Sequence, residues 1–186
     1  WGVPSFATPE YISNGVIEQL KHDEDIGKYA LPDGLYELKQ MVARKNKIDT
    51  GISFSADDHV MITAGNMQGM YSLLHVITNP GDEIILTDPC FASHIQQVNM
   101  CGGKPVYWSL EEGNSWSLDI DALSGLISAK TKAIIINSPS NPTGKAYSRA
   151  ELSALASLLA RETAAGMRID WNRLALRPVP GEARHI

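Results

Sequence analysis

The side chains with chemical potential in this chain cluster where short apolar runs give way to polar loops. Ser138-Pro139-Ser140-Asn141-Pro142-Thr143-Gly144 follows the apolar run Ala133-Ile134-Ile135-Ile136 and precedes Ser148-Arg149-Ala150-Glu151. The prolines fix φ and remove backbone donors, so the loop is stiff and holds the Asn141 carboxamide, a donor and an acceptor, in one place. Ala64-Gly65-Asn66-Met67 stands between the run Val60-Met61-Ile62-Thr63 and a helical pattern with Met70, Leu73, Leu74 and Ile77. The first N–H groups of a helix have no partner of their own, and with the positive end of the helix dipole they form an anion site. Gly65 lets backbone approach a ligand closely. Phe91 follows Pro89 by two residues in Thr87-Asp88-Pro89-Cys90-Phe91, just past the run Ile84-Ile85-Leu86, and offers an apolar ring face. Each stretch alone also fits a plainer use: a rigid turn, a helix start, a core aromatic. The glycine turn is neither a Gly-x-Gly-x-x-Gly fingerprint nor a Walker loop.

The elements that must position these residues follow from periodicity. Thr8 is expected to cap a helix with Pro9 in its first position and Ile12, Val16 and Leu20 on one face. Lys28 to Gly34 reads as a loop by its proline and Asp-Gly punctuation, and Leu35, Leu38 and Val42 mark the helix after it. Val60–Thr63, Ile84–Leu86, Pro105–Trp108 and Ala133–Asn137 read as strands. Helices are expected over Met70–Ile77, Ala92–Met100 and Asp119–Ile127, and a last one is opened by the capping box Ser148-x-x-Glu151. The alternation β-α-β-α-β-α-β-α predicts an α/β fold, a mostly parallel sheet with helices on both faces. In such sheets ligands bind beyond the carboxyl ends of strands, where Gly65 to Met67, Phe91 and Asn141 all fall.

The bulk properties narrow the function classes. A chain of 186 residues with 44% hydrophobic and 20% charged residues has ordinary globular composition. A net charge of −5 gives no basic footprint for nucleic acid, and no apolar run reaches the length of a membrane span. Cys90 and Cys101 lack metal-ligand spacing, and His22, His59, His75, His94 and His185 are scattered, so no metal site and no histidine role is assigned. A reduced, cytoplasmic setting is the expectation. No signal peptide opens the chain, and a start on Trp1 rather than Met is read as a missing or processed beginning.

In combination these stretches resemble the class I/II aminotransferases, pyridoxal-phosphate (PLP) enzymes of fold type I. The resemblance rests on Gly2-Val3-Pro4-Ser5-Phe6-Ala7-Thr8-Pro9, Tyr29 with Gly34, the Gly65 turn, Asn79-Pro80-Gly81-Asp82-Glu83, Asp88-Pro89-x-Phe91 and Asn141-Pro142-Thr143-Gly144. It implies that PLP is the cofactor, its phosphate held mainly by main-chain N–H groups at Gly65, Asn66 and Met67. It implies that Phe91 stacks on the cofactor ring, that Asn141 bonds its phenolic oxygen and that Gly2 and Asn141 lie at the substrate. Tyr29 would reach the phosphate of the neighbouring subunit in a homodimer. The peptide bonds before Pro89 and Pro142 would be cis. The partners implied are an amino acid and a 2-oxo acid.

The resemblance is read as ending near Arg161. The family's Asp-Glu-x-Tyr strand, its Schiff-base lysine and its substrate arginine are not found, and Lys145, one residue past the loop, is not at the Schiff-base position. Composition changes there too: the last 26 residues hold no lysine and five arginines. The expected organisation is therefore an N-terminal segment over residues 1–50, a partial PLP-binding large domain over 51–161 and a poorly packed, divergent tail over 162–186. The functional reading is a PLP-dependent aminotransferase truncated before its catalytic lysine. The alternatives are a non-catalytic fragment that binds PLP or phosphate weakly and a carbon–sulfur lyase of the same fold.

Overall fold

The computed structural model describes residues 5–164; Gly2 and the tail from residue 165, with the expectations made for them, lie outside the described residues. Strand β1 (Glu83–Asp88) carries Ile84, Ile85 and Leu86, none of which has any exposed surface. Successive strand side chains point to opposite faces, so a continuous apolar run needs cover on both. Ile84 and Leu86 pack with Leu74 of α4 (Gly65–Ile77), Val98 of α5 (Ala92–Met100) and Cys101. Ile85 packs on the other face with Leu123 of α6 (Ile120–Leu126) and with Leu155, Leu158 and Leu159 of α7 (Arg149–Ala164). Strands β2 (Lys104–Ser109) and β3 (Thr131–Ile135) flank β1 in the order β2-β1-β3, both parallel to it. Ile85 stands level with Val106 and Ile134. Pro105 lies on the edge strand β2, where a residue without an N–H is tolerated. The sheet is thus parallel and covered by helices on both faces, as the alternation predicts. Helix α7 runs on past residue 161 to Ala164.

Two expectations need correction. Val60–Thr63 is not a strand, and the sheet among the described residues has three strands. Val60 is extended, with φ −124° and ψ 124°, but the Ile62 N–H donates to the Asp33 carbonyl at 2.9 Å, in the loop before α2 (Tyr36–Thr50). A ladder needs a neighbour along its whole length, and here the neighbour is a loop that offers one acceptor. At the start of α1 (Glu10–His22) the N-cap is Pro9 rather than Thr8. Its ψ of 135° keeps it outside the helix while its carbonyl accepts from the Ile12 and Ser13 N–H groups.

The N-terminal helices are held by few buried contacts. The apolar stripe of Ile12, Val16 and Leu20 on α1 stays largely exposed. The residue that α2 buries is Lys39, 3% exposed, whose ammonium pairs with the Asp33 carboxylate and reaches the Asp57 carbonyl of α3 (Ala56–His59) at 3.4 Å. The hydrogen bond from Lys39 is the main reason the Asp33 carboxyl lies below its ordinary value. Lys39 thereby joins the loop after Tyr29 to two helices.

Gly34 closes that joint, with φ +102° and an added Cβ only 2.6 Å from Ile62 Cβ. Gly34→Ala is expected to cost about 2 kcal/mol, from strain at positive φ and from overpacking. Gly15→Ala, in open space on α1, is expected to change stability in the opposite direction by about 1 kcal/mol. Denaturant midpoints of the two variants check the opposed signs.

Candidate functional site

The Asn141 loop is closed on itself and then pinned from below. Ser140 N–H donates to the Lys145 carbonyl at 2.8 Å and Gly144 N–H to the Ser140 carbonyl at 2.7 Å. The peptide bonds before Pro89, Pro139 and Pro142 are cis; the resemblance implies the first and last of these. Beneath the loop Tyr147 is 2% exposed. Its N–H donates to Ser138 Oγ at 3.1 Å, and its hydroxyl hydrogen-bonds the Ser140 and Thr87 side chains. Burial pushes the Tyr147 hydroxyl above its ordinary value, the Glu151 carboxylate adds to this, and the bonds to Ser140 and Thr87 oppose it. A neutral phenol therefore ties the loop to the end of β1.

Glu151 fixes the other side of the loop. The predicted capping box is present: Ser148 N–H donates to Glu151 Oε2 at 2.7 Å and Glu151 N–H to Ser148 Oγ at 3.2 Å. Glu151 Oε1 also accepts from the Leu118 N–H at 3.3 Å and lies 3.2 Å from Lys145 Nζ. Burial pushes the Glu151 carboxyl up, but these bonds together outweigh it and hold the group below 4.5. Lys145 is thus committed to Glu151 and does not line the cavity described next.

A cavity of about 310 Å³ opens between α4, α5 and the end of β3, lined by Asn66, Met70, Phe91, His94, Ile135, Ile136, Asn137 and Asn141. That volume is in the range of small-molecule sites. The structure therefore brings Asn66, Phe91 and Asn141 to one place from three separate elements. Gly65 and Met67 stand either side of Asn66 in the first turn of α4 and do not line the cavity. Gly65 has φ +71°, and its N–H is taken by the Thr63 carbonyl at 2.8 Å. The N–H groups of Asn66 and Met67 lie in the first turn of α4 and have no acceptor within the helix, and the N-cap Ala64 has no side-chain oxygen to receive them. Tyr29 is fully exposed and lies outside the lining, and Gly2 is outside the described residues.

His94, given no role from the sequence, is part of this lining. It is 6% exposed, and its ring meets Phe91 edge-on, with centroids 5.5 Å apart and planes at 87°. Burial pushes its imidazole below 6.5, and its ring nitrogens have no hydrogen-bond partner among the described residues. Asn137 and Tyr147 are likewise site residues that motif reading passed over. Only His94 carried a readable signal, because it lies one helical turn after Phe91 and so on the same face. The assembled site offers N–H donors for an anion, three carboxamides for polar edges and apolar walls for a flat ring.

The chain matches the model of the family described as Aminotransferase class I and II over residues 2–165. It is 40% identical over 154 residues to the aspartate aminotransferase of Bacillus subtilis (strain 168), covering 83% of this chain and 38% of that protein. It is 34% identical over 185 residues to the aspartate aminotransferase of Geobacillus stearothermophilus, covering 100% of this chain and 46% of the relative. That alignment continues through the tail, past Arg161. Among solved structures, the aspartate aminotransferase from Thermus thermophilus with maleate superposes with a TM-score of 0.81 at 32% identity, covering 87% of this chain and 41% of that one. The aromatic aminotransferase from Pyrococcus horikoshii OT3 gives 0.82 at 32% identity, covering 88% and 43%. The chain spans less than half the length of these relatives. Among the described residues no helix is long and apolar enough to cross a membrane.

Glu151→Gln removes the charge that the capping box, Lys145 and Leu118 share, and is expected to destabilise the chain by about 1 kcal/mol at pH 7. The folded carboxyl is held below 4.5, so its contribution is present above that value and is lost as pH falls through the folded one. The stability gap between wild type and variant should therefore close on acidification. Urea midpoints between pH 7 and pH 3 measure it.

Proposed function

The chain belongs to the class I and II aminotransferase family, and we propose that it supplies part of the PLP site of an enzyme that moves an amino group from an amino acid to a 2-oxo acid. The observation that carries this reading is the meeting of Asn66, Phe91 and Asn141 at one cavity beside the start of α4. The names of the relatives point to aspartate as the amino donor. The site fits the cofactor on its own terms. The first turn of α4 has N–H groups without helical acceptors, the carboxamides of Asn66, Asn137 and Asn141 supply polar edges, and the walls are apolar where a flat ring would lie.

When bound, PLP supplies the electron sink that weakens bonds at the substrate's α-carbon. The chain's own residues bind and orient. The N–H groups of Asn66 and Met67, with the positive end of α4, attract a phosphate dianion. Phe91 presents a ring face, and its edge-on contact with His94 restricts that ring's rotation. The neutral imidazole adds no positive charge to the wall. The Asn141 carboxamide, carried on a loop held by Tyr147 and Glu151, supplies a donor for the cofactor's phenolic oxygen. Tyr29, on an exposed loop, serves the neighbouring site of a homodimer in this reading, and Gly2 lies at the substrate. The proposed organisation is a segment over residues 1–50, a partial cofactor domain over 51–161 and a tail over 162–186, in a cytoplasmic enzyme.

The same reading makes this chain alone a binder without turnover. The lysine nearest the loop, Lys145, is held by Glu151, and among the described residues no lysine lines the cavity. Proton transfer at the substrate needs a base within hydrogen-bond reach of the reacting carbon, and among the described residues lining the cavity the one basic side chain is the His94 imidazole, whose basicity burial lowers. Titration of the purified chain with PLP, followed by absorbance, is expected to show saturable binding that Asn141→Ala weakens about tenfold. Borohydride reduction should leave no single labelled lysine. Turnover of aspartate and 2-oxoglutarate above that of free PLP, or binding unchanged in Asn141→Ala, would refute this reading.

A further inference from the structure

One buried side chain joins α4 to α5 at the level of the anion turn. Gln97 of α5 is 4% exposed, and its Nε2 donates to the Met67 carbonyl at 2.9 Å. Turning the amide over would set two oxygens against each other, so the donor end faces Met67. The Gln97 Oε1 is buried without a partner. A half-satisfied buried carboxamide costs stability that an apolar side chain of the same volume would avoid. Packing alone therefore does not account for a glutamine at this position.

Its place in the fold does. One turn farther along both helices, Cys101 Sγ lies 3.9 Å from the Tyr71 carbonyl, so α4 and α5 run side by side in the same direction. Phe91 is the N-cap of α5, and His94 and Gln97 follow at successive intervals of three along the same stripe. The helix that starts at the ring wall thus reaches back, through Gln97, to the turn whose N–H groups stand free. Met67 has no polar side chain with which to fix itself. Its carbonyl has two lone pairs, one for the helix and one for an outside donor.

We propose that Gln97 is a positioning residue for the anion turn. By tying the Met67 carbonyl to α5, it sets the N–H groups of Asn66 and Met67 at a fixed place relative to the Phe91 ring. The inference rests on the PLP reading above and adds to it the element that holds phosphate cradle and ring wall in register. Without the bond, the first turn of α4 is free to shift, which weakens the grip on the phosphate and leaves the ring contact in place.

The test compares PLP with pyridoxal, which has the same ring and no phosphate, by equilibrium titration of the full chain. Wild type is expected to bind PLP more tightly than pyridoxal. Gln97→Met, which keeps the volume and removes the donor, is expected to weaken PLP about fivefold and leave pyridoxal unchanged. Equal weakening of both ligands would assign Gln97 to packing alone and overturn the proposal, as would unchanged PLP affinity; in both cases the PLP reading survives if wild type still prefers PLP. A wild type that does not distinguish the two ligands removes the phosphate cradle itself, and the proposal with it. Amide-proton exchange in wild type gives a measurement independent of how well the variant folds. The Gln97 side-chain protons should exchange slowly, and fast exchange would overturn the proposal.

Discussion

The two-sided burial of β1 is the constraint on which the rest of the structure depends. Ile84, Ile85 and Leu86 have no exposed surface. Each such side chain contributes about 1.5–3 kcal/mol when it leaves water. To gain this on both faces the chain must lay α4 and α5 on one side and α6 and α7 on the other. Phe91 then stands just past the end of β1 because the chain has to turn into α5. Asn141 stands beyond β3, the parallel neighbour of β1, so both reach the same edge of the sheet. The anion turn arrives there because Leu74, two turns farther along α4, packs under Ile84 and Leu86.

Apolar packing brings these loops to one edge without fixing their polar groups, and a small set of buried polar contacts does the rest. Tyr147 links the Asn141 loop to Thr87 in β1. Glu151 links the same loop, through Lys145, to the start of α7 and to Leu118. Gln97 links the start of α4 to α5. Each contact is directional and is made by a buried or half-buried side chain, so a displaced loop would leave a polar group unpaired where that is costly. The core sets where the site lies, and these bonds set its geometry.

The N-terminal region is built differently. Helix α1 buries none of its residues, and α2 buries only a charged one, Lys39. Their apolar side chains, including Ile12, Val16, Leu20 and Met41, remain exposed within the described residues. What holds the region together is the Lys39–Asp33 pair and the close approach of Gly34 to Ile62. Local order here depends on a few polar and steric contacts, whereas the sheet depends on area removed from water.

The sequence by itself determined the elements whose signals are local. The apolar run of β1, the β-α alternation that makes the sheet parallel, the capping box at Ser148 and Glu151 and the stiff loop around Asn141 all depend on residues close together in the chain. Local signal failed where the outcome depended on a distant partner. Val60–Thr63 has strand composition but meets the Asp33 loop instead of a strand. Pro9 rather than Thr8 caps α1 because its own ψ leaves it outside the helix. His94, Gln97 and Tyr147 carry no motif, since their roles come from Phe91, Met67 and Thr87, residues to which only packing or the turn of a helix brings them. Spacing along the chain reports hydrogen bonds and hydrophobic faces within an element. Which polar groups meet across the sheet edge was decided by how α4, α5 and the Asn141 loop pack around β1, because only that packing sets the distance between them.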